Sequence, residues 1–570
     1  MQGNLAAVDI GILFLYCCVL VAMGVYYKRK CRTAEQFMVA DRSIPAWAAG
    51  LAVMSAYTSS ISYIATPGKA FDSNWHPIIF SLCIFPVAWL VCKYAVPYYR
   101  KTKLISVYSF LEARLGSWGR VYAALAFVLY MIGRVAVILY LASLLVGTFV
   151  PWNIAVVIIV IGFITIIYTL LGGMEAVIWT DVMQSVIMIA GILFCAVSLS
   201  LHVFSGPQPL IQAAIDNNKF SFGSLKFTLT SPKHLFDRTI WVMIIYGVTE
   251  NLRSLLADQN YVQKYCSVPT VREAKRSIWI AMLIYIPLTA VFLYIGTMLF
   301  AFYSQGNELV NVPGMVNEEG KVVGDRVFPH FIATEVPAGL KGLIIAAIVA
   351  AAMSTVDSAL NCSATVLLLD FHKRYFNPDI GQRASVVFLR LATVVWGLLG
   401  TGAALLMIGA KSALDVWWQI SGIFGGALLG LFLLAFLRVR LRLWQGLVSI
   451  GASCAVISWG TFARNLPESW QWAQCSLDRI IVGAVGTAAL LVVAGLFGLT
   501  NRKPPLLSCE SKKGGLRPKK KSHNCTAAVV FTNQQARCIY FGTRLDCLRS
   551  AGRSSRQYSW HPFLHSGAHR

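Results

Sequence analysis

Charge is scarce in this chain: Asp, Glu, Lys and Arg make up 13% of its 570 residues, against 57% hydrophobic ones. A soluble domain carries about 25% charged residues, so one large water-soluble core is excluded, and the mean hydropathy of +0.64 agrees. Acid is scarcer still, with 25 Asp and Glu against 49 Lys and Arg. The fourteen cysteines lack paired CxxC spacing, so neither a metal-ligand set nor a disulfide framework is implied. Several, such as Cys17, Cys18, Cys195 and Cys454, lie in apolar runs, where cysteine behaves as a small hydrophobe. No nucleophile with an attendant base stands out, which disfavours an enzyme. Nothing resembles a repeated filter or a ring of charges, which disfavours a channel. No nucleic-acid partner is expected.

What the chain does have is long apolar runs. Crossing the hydrocarbon takes about 20 predominantly apolar residues per helix. Thirteen candidates meet that length, at 7–27, 46–66, 77–99, 119–148, 152–171, 178–203, 238–257, 275–304, 336–369, 385–410, 413–437, 443–464 and 475–499. Strands of a membrane β-barrel alternate and are short, whereas these runs are continuous, so the expected class is an all-α polytopic membrane protein. The first run has no basic residue before it and is followed by Lys28, Arg29, Lys30 and Arg32. That charge order is opposite to a cleaved signal peptide's, and the run reads as a retained helix.

Basic residues set orientation by the positive-inside rule. Arg100, Lys101 and Lys103, then Lys264, Arg272, Lys275 and Arg276, then Lys373, Arg374, Arg383, Arg438, Arg440 and Arg442 all fall on the side of 28–32 if there are thirteen spans. The amino terminus is then outside and the carboxyl terminus cytoplasmic, as for an inner (plasma) membrane protein. The hydrophilic connections 204–236 and 305–335 fall outside by the same topology, as vestibule loops or as loops merely tolerated there.

Half of the net charge of +24 sits at one end. Arg502–Arg570 holds fourteen Lys and Arg against Glu510 and Asp546, a net of +12. Without apolar periodicity it reads as a disordered cytoplasmic tail. Contact with anionic lipid headgroups is one role for it; a solvated tail without specific role is the plainer one. Its four cysteines and scattered aromatics also fit a poorly selected or frame-altered extension after about 505. Two domains are expected, a transmembrane one over 1–500 and a basic tail over 501–570.

Three segments carry polar groups that lipid-facing helices would not. Ser55-Ala-Tyr-Thr-Ser-Ser-Ile-Ser62 puts six hydroxyls in eight residues ahead of Pro67-Gly68. This predicts an interrupted helix whose freed carbonyls bind a cation; hydroxyls bonding back to their own helix are the alternative. In Ala351-Ala-Met-Ser-Thr-Val-Asp-Ser-Ala-Leu-Asn361, helical spacing sets Ala351, Ser354, Thr355 and Ser358 on one face, bordered by Asp357. Hydroxyls, carbonyls and a carboxylate are the ligands that a hard cation such as sodium takes, and an intramembrane Asp is a functional candidate by default. A structural Asp paired with a backbone donor or a distant cation is the alternative. The third segment, Gly172-Gly-Met-Glu-Ala-Val-Ile-Trp-Thr-Asp-Val-Met-Gln184, joins two spans by paired glycines and sets Asp181 inside the next helix, where it either reaches an ion or complements the helix dipole. Arg134 is mid-run, and its planar fork suits a carboxylate, from a solute or from an internal acid such as Asp357 or Asp181.

Together these stretches resemble the sodium/solute symporter family. Gly162-Phe-Ile-Thr-Ile-Ile-Tyr-Thr-Leu-Leu-Gly-Gly-Met-Glu-Ala-Val-Ile-Trp-Thr-Asp181 is similar to its best-known signature, and Asp258-Gln259 with Val262-Gln263-Lys264-Tyr265 matches another stretch. The resemblance covers about 5–500 and leaves out the tail. Within the family the chain is most similar to the bacterial sodium/sialic acid symporters, through Ile132-Gly-Arg-Val-Ala136, Trp75 after Pro67-Gly68-Lys69-Ala70, Val177-Ile-Trp-Thr-Asp181 and Gly339-Leu-Lys-Gly-Leu-Ile-Ile-Ala-Ala-Ile348.

The resemblance implies a LeuT-like inverted five-plus-five helix repeat with flanking helices, working by alternating access. The first span is then an extra helix, and the repeat begins with 46–66. Sodium, the co-transported ion, would take carbonyls of Ser55, Thr58 and Ala351 and hydroxyls of Ser354 and Thr355. A second sodium position would fall on Asp181, Ser354, Thr355, Asp357 and Ser358, with Asp357 standing where that group has Ser. The added carboxylate could strengthen the site, bind a proton or pair with Arg134. Solute binding would fall on Tyr57, Ser59, Ser62, Ser81 and Arg134. Ser59, Ser62 and Arg134 match or nearly match the group, whereas Tyr57 replaces Thr, Pro77 replaces Phe and Ser81 replaces Gln. The expected function is sodium-coupled import of a small polar solute that bears a carboxylate, such as sialic acid or a related acidic sugar. A neutral sugar or small monocarboxylate is the alternative. A membrane sensor is the rival class, but it would need a folded signalling domain larger than a 69-residue tail supplies.

Overall fold

The computed structural model describes residues 5–500 apart from 148, 150–151, 205–209, 225–238, 305–308, 310–311, 313–314, 317–321, 409–412, 440, 464–469 and 471–472. The basic tail at 501–570, with the roles expected for it, lies outside the described residues, as do parts of both long hydrophilic connections. The regular elements among the described residues are helices: α1 (Ala7–Lys28), α2 (Ala46–Tyr57), α3 (Ser60–Asp72), α4 (Ile84–Lys101), α5 (Ser117–Val146), α6 (Ile154–Phe204), α7 (Ile240–Ala257), α8 (Gln259–Cys266), α9 (Val271–Tyr303), α10 (Gly324–Thr334), α11 (Leu340–Val366), α12 (Gln382–Leu406), α13 (Ala413–Phe436), α14 (Leu443–Phe462) and α15 (Val482–Thr500), with short helical segments between them, among them Tyr108–Leu115 and the π-helix Leu367–Phe376. Among the described residues, eight helices are long and apolar enough to cross a membrane.

Some expected spans are joined and others divided. The runs at 152–171 and 178–203 form the single 51-residue element α6, bent where Gly173 takes φ +59° and ψ −153°. A Cβ at Gly173 would lie 2.9 Å from the Phe37 Cα and 3.2 Å from the Cys31 sulfur. Both the backbone and the space therefore require glycine. The run at 46–66 is interrupted, as the hydroxyl cluster predicts, at extended Thr58 (φ −102°, ψ 102°) and Ser59. The break is not at Pro67-Gly68, which lie inside α3. Restarting the helix at Ser60 leaves Pro67 about two turns further on, and the hydroxyls supply a local partner at the break: the Ser59 N–H donates to the Ser62 hydroxyl at 3.3 Å.

A second interruption falls at Asp258 (φ −89°, ψ 115°), whose carboxylate accepts the Asn260 N–H at 3.0 Å and caps α8. The element order from α2 therefore repeats. An interrupted helix (α2/α3) is followed by α4, α5 and the two limbs of α6, and a second (α7/α8) by α9, α11, α12 and α13. Four crossings lie between the two interrupted helices, so the second runs against the first. This is the LeuT-like five-plus-five order, with α1 before it and α14 and α15 after it.

At the centre is α11, buried at every residue from Ile344 to Val366. It packs against α6, α5, α1, α12 and α2. A helix buried all round reads as uniformly apolar with small residues where neighbours come close, which is the character of Ile344–Ala352. One basic residue is not where the charge pattern puts it: Lys264 is 1% exposed, buried in α8 rather than standing in a loop. Gly173→Val is expected to destabilise the fold by about 1–3 kcal/mol, read as a lowered thermal midpoint of the detergent-solubilised protein and a reduced folded yield.

Candidate functional site

The interruption after α2 leaves helix-terminal carbonyls without partners on their own helix, and side chains from other helices reach this end of it. The Ala56 carbonyl, in the last turn of α2, accepts the Arg134 guanidinium at 3.1 Å and the Tyr261 hydroxyl at 3.0 Å. The Ala52 carbonyl one turn earlier accepts the Lys264 ammonium at 3.0 Å. A cation at a helix carboxyl end also complements the dipole. Arg134 comes from α5, and Tyr261 and Lys264 come from α8, so these contacts tie one interrupted helix to the other.

The candidate sodium residues gather where α2, α6 and α11 meet, and all are buried. On α11 the Ser354 and Thr355 hydroxyls both donate to the Ala351 carbonyl at 3.1 Å, and Ser358 donates to the Ser354 carbonyl at 2.8 Å. Asp357 accepts from the Tyr168 hydroxyl at 2.8 Å, from Ser358 at 3.1 Å and from Thr180 at 3.4 Å. Its neighbour across the α6–α11 contact, Asp181, is paired with Lys264 at 2.9 Å and accepts from Ser55 at 3.5 Å. Thr58 ends α2 with its hydroxyl 3.5 Å from the Met54 sulfur. The candidate ligands are thus hard oxygens on three helices, held by hydrogen bonds that an entering cation has to exchange.

Neither acid expected for Arg134 is its partner. Its guanidinium lies 3.9 Å from Asp258, at the second interruption, while Asp357 is held by hydroxyls and Asp181 by Lys264. Asp258 is shared with Arg253, at 3.3 Å, and Arg253 in turn forks onto Glu250 at 3.0 and 2.5 Å and reaches the Tyr130 hydroxyl at 3.2 Å.

This chain of charges lies in the wall of a cavity of about 300 Å³. All five candidate solute residues, Tyr57, Ser59, Ser62, Ser81 and Arg134, line it, as does Pro77. Tyr57 packs at a tilt against Tyr261 and Tyr285, with centroids 4.6 and 5.2 Å apart, and Ser81 donates to Thr289 at 3.1 Å. The cavity also takes in Lys69, Tyr246, Glu250 and Arg253, which were not singled out from the sequence. A signal for two of them was present: Glu250 and Arg253 are charges inside the apolar run 238–257, which marks a functional candidate. Asp258 entered the reading only as part of a likeness, and Lys264 as part of that likeness and as a loop cation. Every cysteine among the described residues is free.

An interrupted-helix bundle with an internal polar cavity and a buried cluster of hard oxygen ligands beside it defines a secondary transporter. Residues 37–447 match the model of the sodium:solute symporter family, and the chain belongs to that family. It is 30% identical over 490 residues to the sodium/sialic acid symporter SiaT of Proteus mirabilis, covering 85% of this chain and 96% of that one. It is 31% identical over 487 residues to the sodium/sialic acid symporter NanT of Aliivibrio fischeri, covering 85% and 91%. The solved substrate-bound, outward-open structure of a Na+-coupled sialic acid symporter superposes with a TM-score of 0.77 at 29% identity, covering 87% of this chain and 98% of that one. The chain is therefore a multi-pass integral membrane transporter, not an enzyme, and sodium is its coupling ion.

Lys264→Met strands Asp181 as an uncompensated buried charge, and removing one partner of such a pair costs about 3–5 kcal/mol. The single variant is expected to lose thermal stability in detergent, and Asp181→Asn combined with Lys264→Met to recover most of it.

Proposed function

We propose that this symporter imports a small polar solute bearing a carboxylate, sialic acid or a related acidic sugar, across the plasma (inner) membrane by alternating access. The observation that carries the reading is Arg134: a buried guanidinium in the cavity wall whose ion-pair partner among the described residues, Asp258, is 3.9 Å away and shared with Arg253. A solute carboxylate offers it a closer, two-oxygen partner. The sialic acid named for the relatives supports the same chemistry.

The first sodium lies among the carbonyls of Ser55, Thr58 and Ala351 and the hydroxyls of Ser354 and Thr355. It bridges α2 to α11 and favours the arrangement that binds solute, and the solute favours sodium by the same factor. A second sodium at Asp181, Asp357 and Ser358 has to displace Lys264 from Asp181 or share Asp357 with Tyr168. The added carboxylate therefore alters the second position. Thirteen crossings with the amino terminus outside and the carboxyl terminus cytoplasmic account for the basic connections.

One observation favours a smaller acid. Tyr57, packed on Tyr261 and Tyr285, fills space where the sialic acid group has Thr, and this narrows the cavity towards a small monocarboxylate. Uptake into proteoliposomes with and without a sodium gradient, over sialic acids, sugars and small carboxylates, decides between them. Absence of sodium-stimulated uptake of any of them would falsify the reading. Arg134→Ala is expected to abolish uptake of the carboxylate solute while sparing a neutral one. Ser354→Ala or Thr355→Ala is expected to raise the half-activating sodium concentration about tenfold, equivalent to about 1.4 kcal/mol.

A further inference from the structure

Arg134 accounts for the acid end of a solute but not for the rest of it. The part of the cavity wall contributed by α7 carries a second charged group. Glu250 keeps 24% of its side chain exposed, against 5% for Arg253 and 0% for Asp258. Among residues of the bundle interior that exposure is to cavities: Glu250 lines the one of about 300 Å³ and an adjoining one of about 60 Å³.

Four of the five Arg253 N–H groups donate to Glu250, Tyr130 and Asp258. The Glu250 carboxylate is not spent. Each of its oxygens takes one Arg253 donor, and a carboxylate has about four acceptor positions. Gly425 of α13 fixes where the pair sits, because a Cβ there would lie 3.1 Å from the Arg253 Cδ. The acceptor is thus held in place before any solute arrives.

We propose that Glu250 is a specificity-determining residue whose carboxylate accepts hydrogen bonds from neutral donors, hydroxyl or amide N–H, on a solute whose own carboxylate meets Arg134. The proposal rests on the acidic-sugar reading of the site and narrows it. An ammonium group is the wrong donor, because Arg253 already neutralises Glu250 and both Arg134 and Lys69 line the same cavity. A plain monocarboxylate satisfies Arg134 and leaves Glu250 without a donor. A polyhydroxylated acid satisfies both, and a site built around a polar partner discriminates against the analogue that lacks it.

The test is sodium-driven uptake by the full chain in proteoliposomes, with N-acetylneuraminate and D-glucuronate as transported probes and pyruvate as a competing inhibitor. The wild type is expected to prefer the two hydroxylated acids. In Glu250→Gln the KM for them, divided by the inhibition constant of pyruvate, is expected to rise about tenfold, the scale of one hydrogen bond to a charged group. Glu250→Ala serves as a second variant, with the sodium-induced rise in thermal midpoint reporting a folded protein for each. A ratio unchanged in folded Glu250→Gln, or a wild type that takes pyruvate as readily as glucuronate, overturns the proposal while leaving sodium-coupled acid uptake intact. Wild-type protein with no sodium-dependent uptake of any probe overturns the acidic-sugar reading itself, and this proposal with it.

Discussion

In hydrocarbon every backbone polar group needs a partner inside the protein, and a helix broken midway creates several groups without one. That constraint organises this molecule. The break after α2 frees the Ala56 carbonyl, which Arg134 and Tyr261 occupy while Lys264 reaches Ala52 a turn earlier, and the break after α7 is capped by the Asp258 carboxylate. Each buried cation then needs an acid: Lys264 takes Asp181, and Arg134 and Arg253 share Asp258. The buried charges thus gather at the interruptions, the first reached by Arg134 of α5 and Lys264 of α8 and the second capped by Asp258 at the break itself.

The same arrangement makes the centre responsive to ligands. Asp181 and Asp357 stand on either side of the α6–α11 contact, one held by an ammonium and the other by hydroxyls. Ser354, Thr355 and Ser358 meanwhile bond back to their own helix. Hydroxyls engaged in that way turn their lone pairs outward at little cost, so the α11 face is polar enough to meet a cation without stranding a group in its absence. Across the cavity wall, Arg134 holds Asp258 at 3.9 Å, a separation that leaves the guanidinium available to a better acid.

Much of this was legible residue by residue. Hydroxyls at 55–62 announced a broken helix because Ser and Thr compete for backbone partners, and Pro67 lies about two turns past the point where the helix restarts. Tyr57, Ser59, Ser62, Ser81 and Arg134 share one cavity, as a likeness to a family implied. Lys264 was read as a loop cation since it lies near Arg272, Lys275 and Arg276 in sequence, and only the short helix α8 carries it inward. The second break at Asp258 had no hydroxyl cluster to mark it, and its signal was charge: Glu250, Arg253 and Asp258 in or beside an apolar run.

Sequence alone was enough for the class of molecule, because the energy of burying apolar runs and excluding charge is additive along the chain. It was also enough for the α11 face, since helical periodicity is local. The partners of the buried charges were decided only by the tertiary structure. Asp357, Asp181 and Asp258 are equivalent acids in one dimension, and which of them meets Arg134 depends on how α5, α6, α8 and α11 cross. Electrostatic pairing falls off over a few ångströms in three dimensions, a distance that residue numbers do not record.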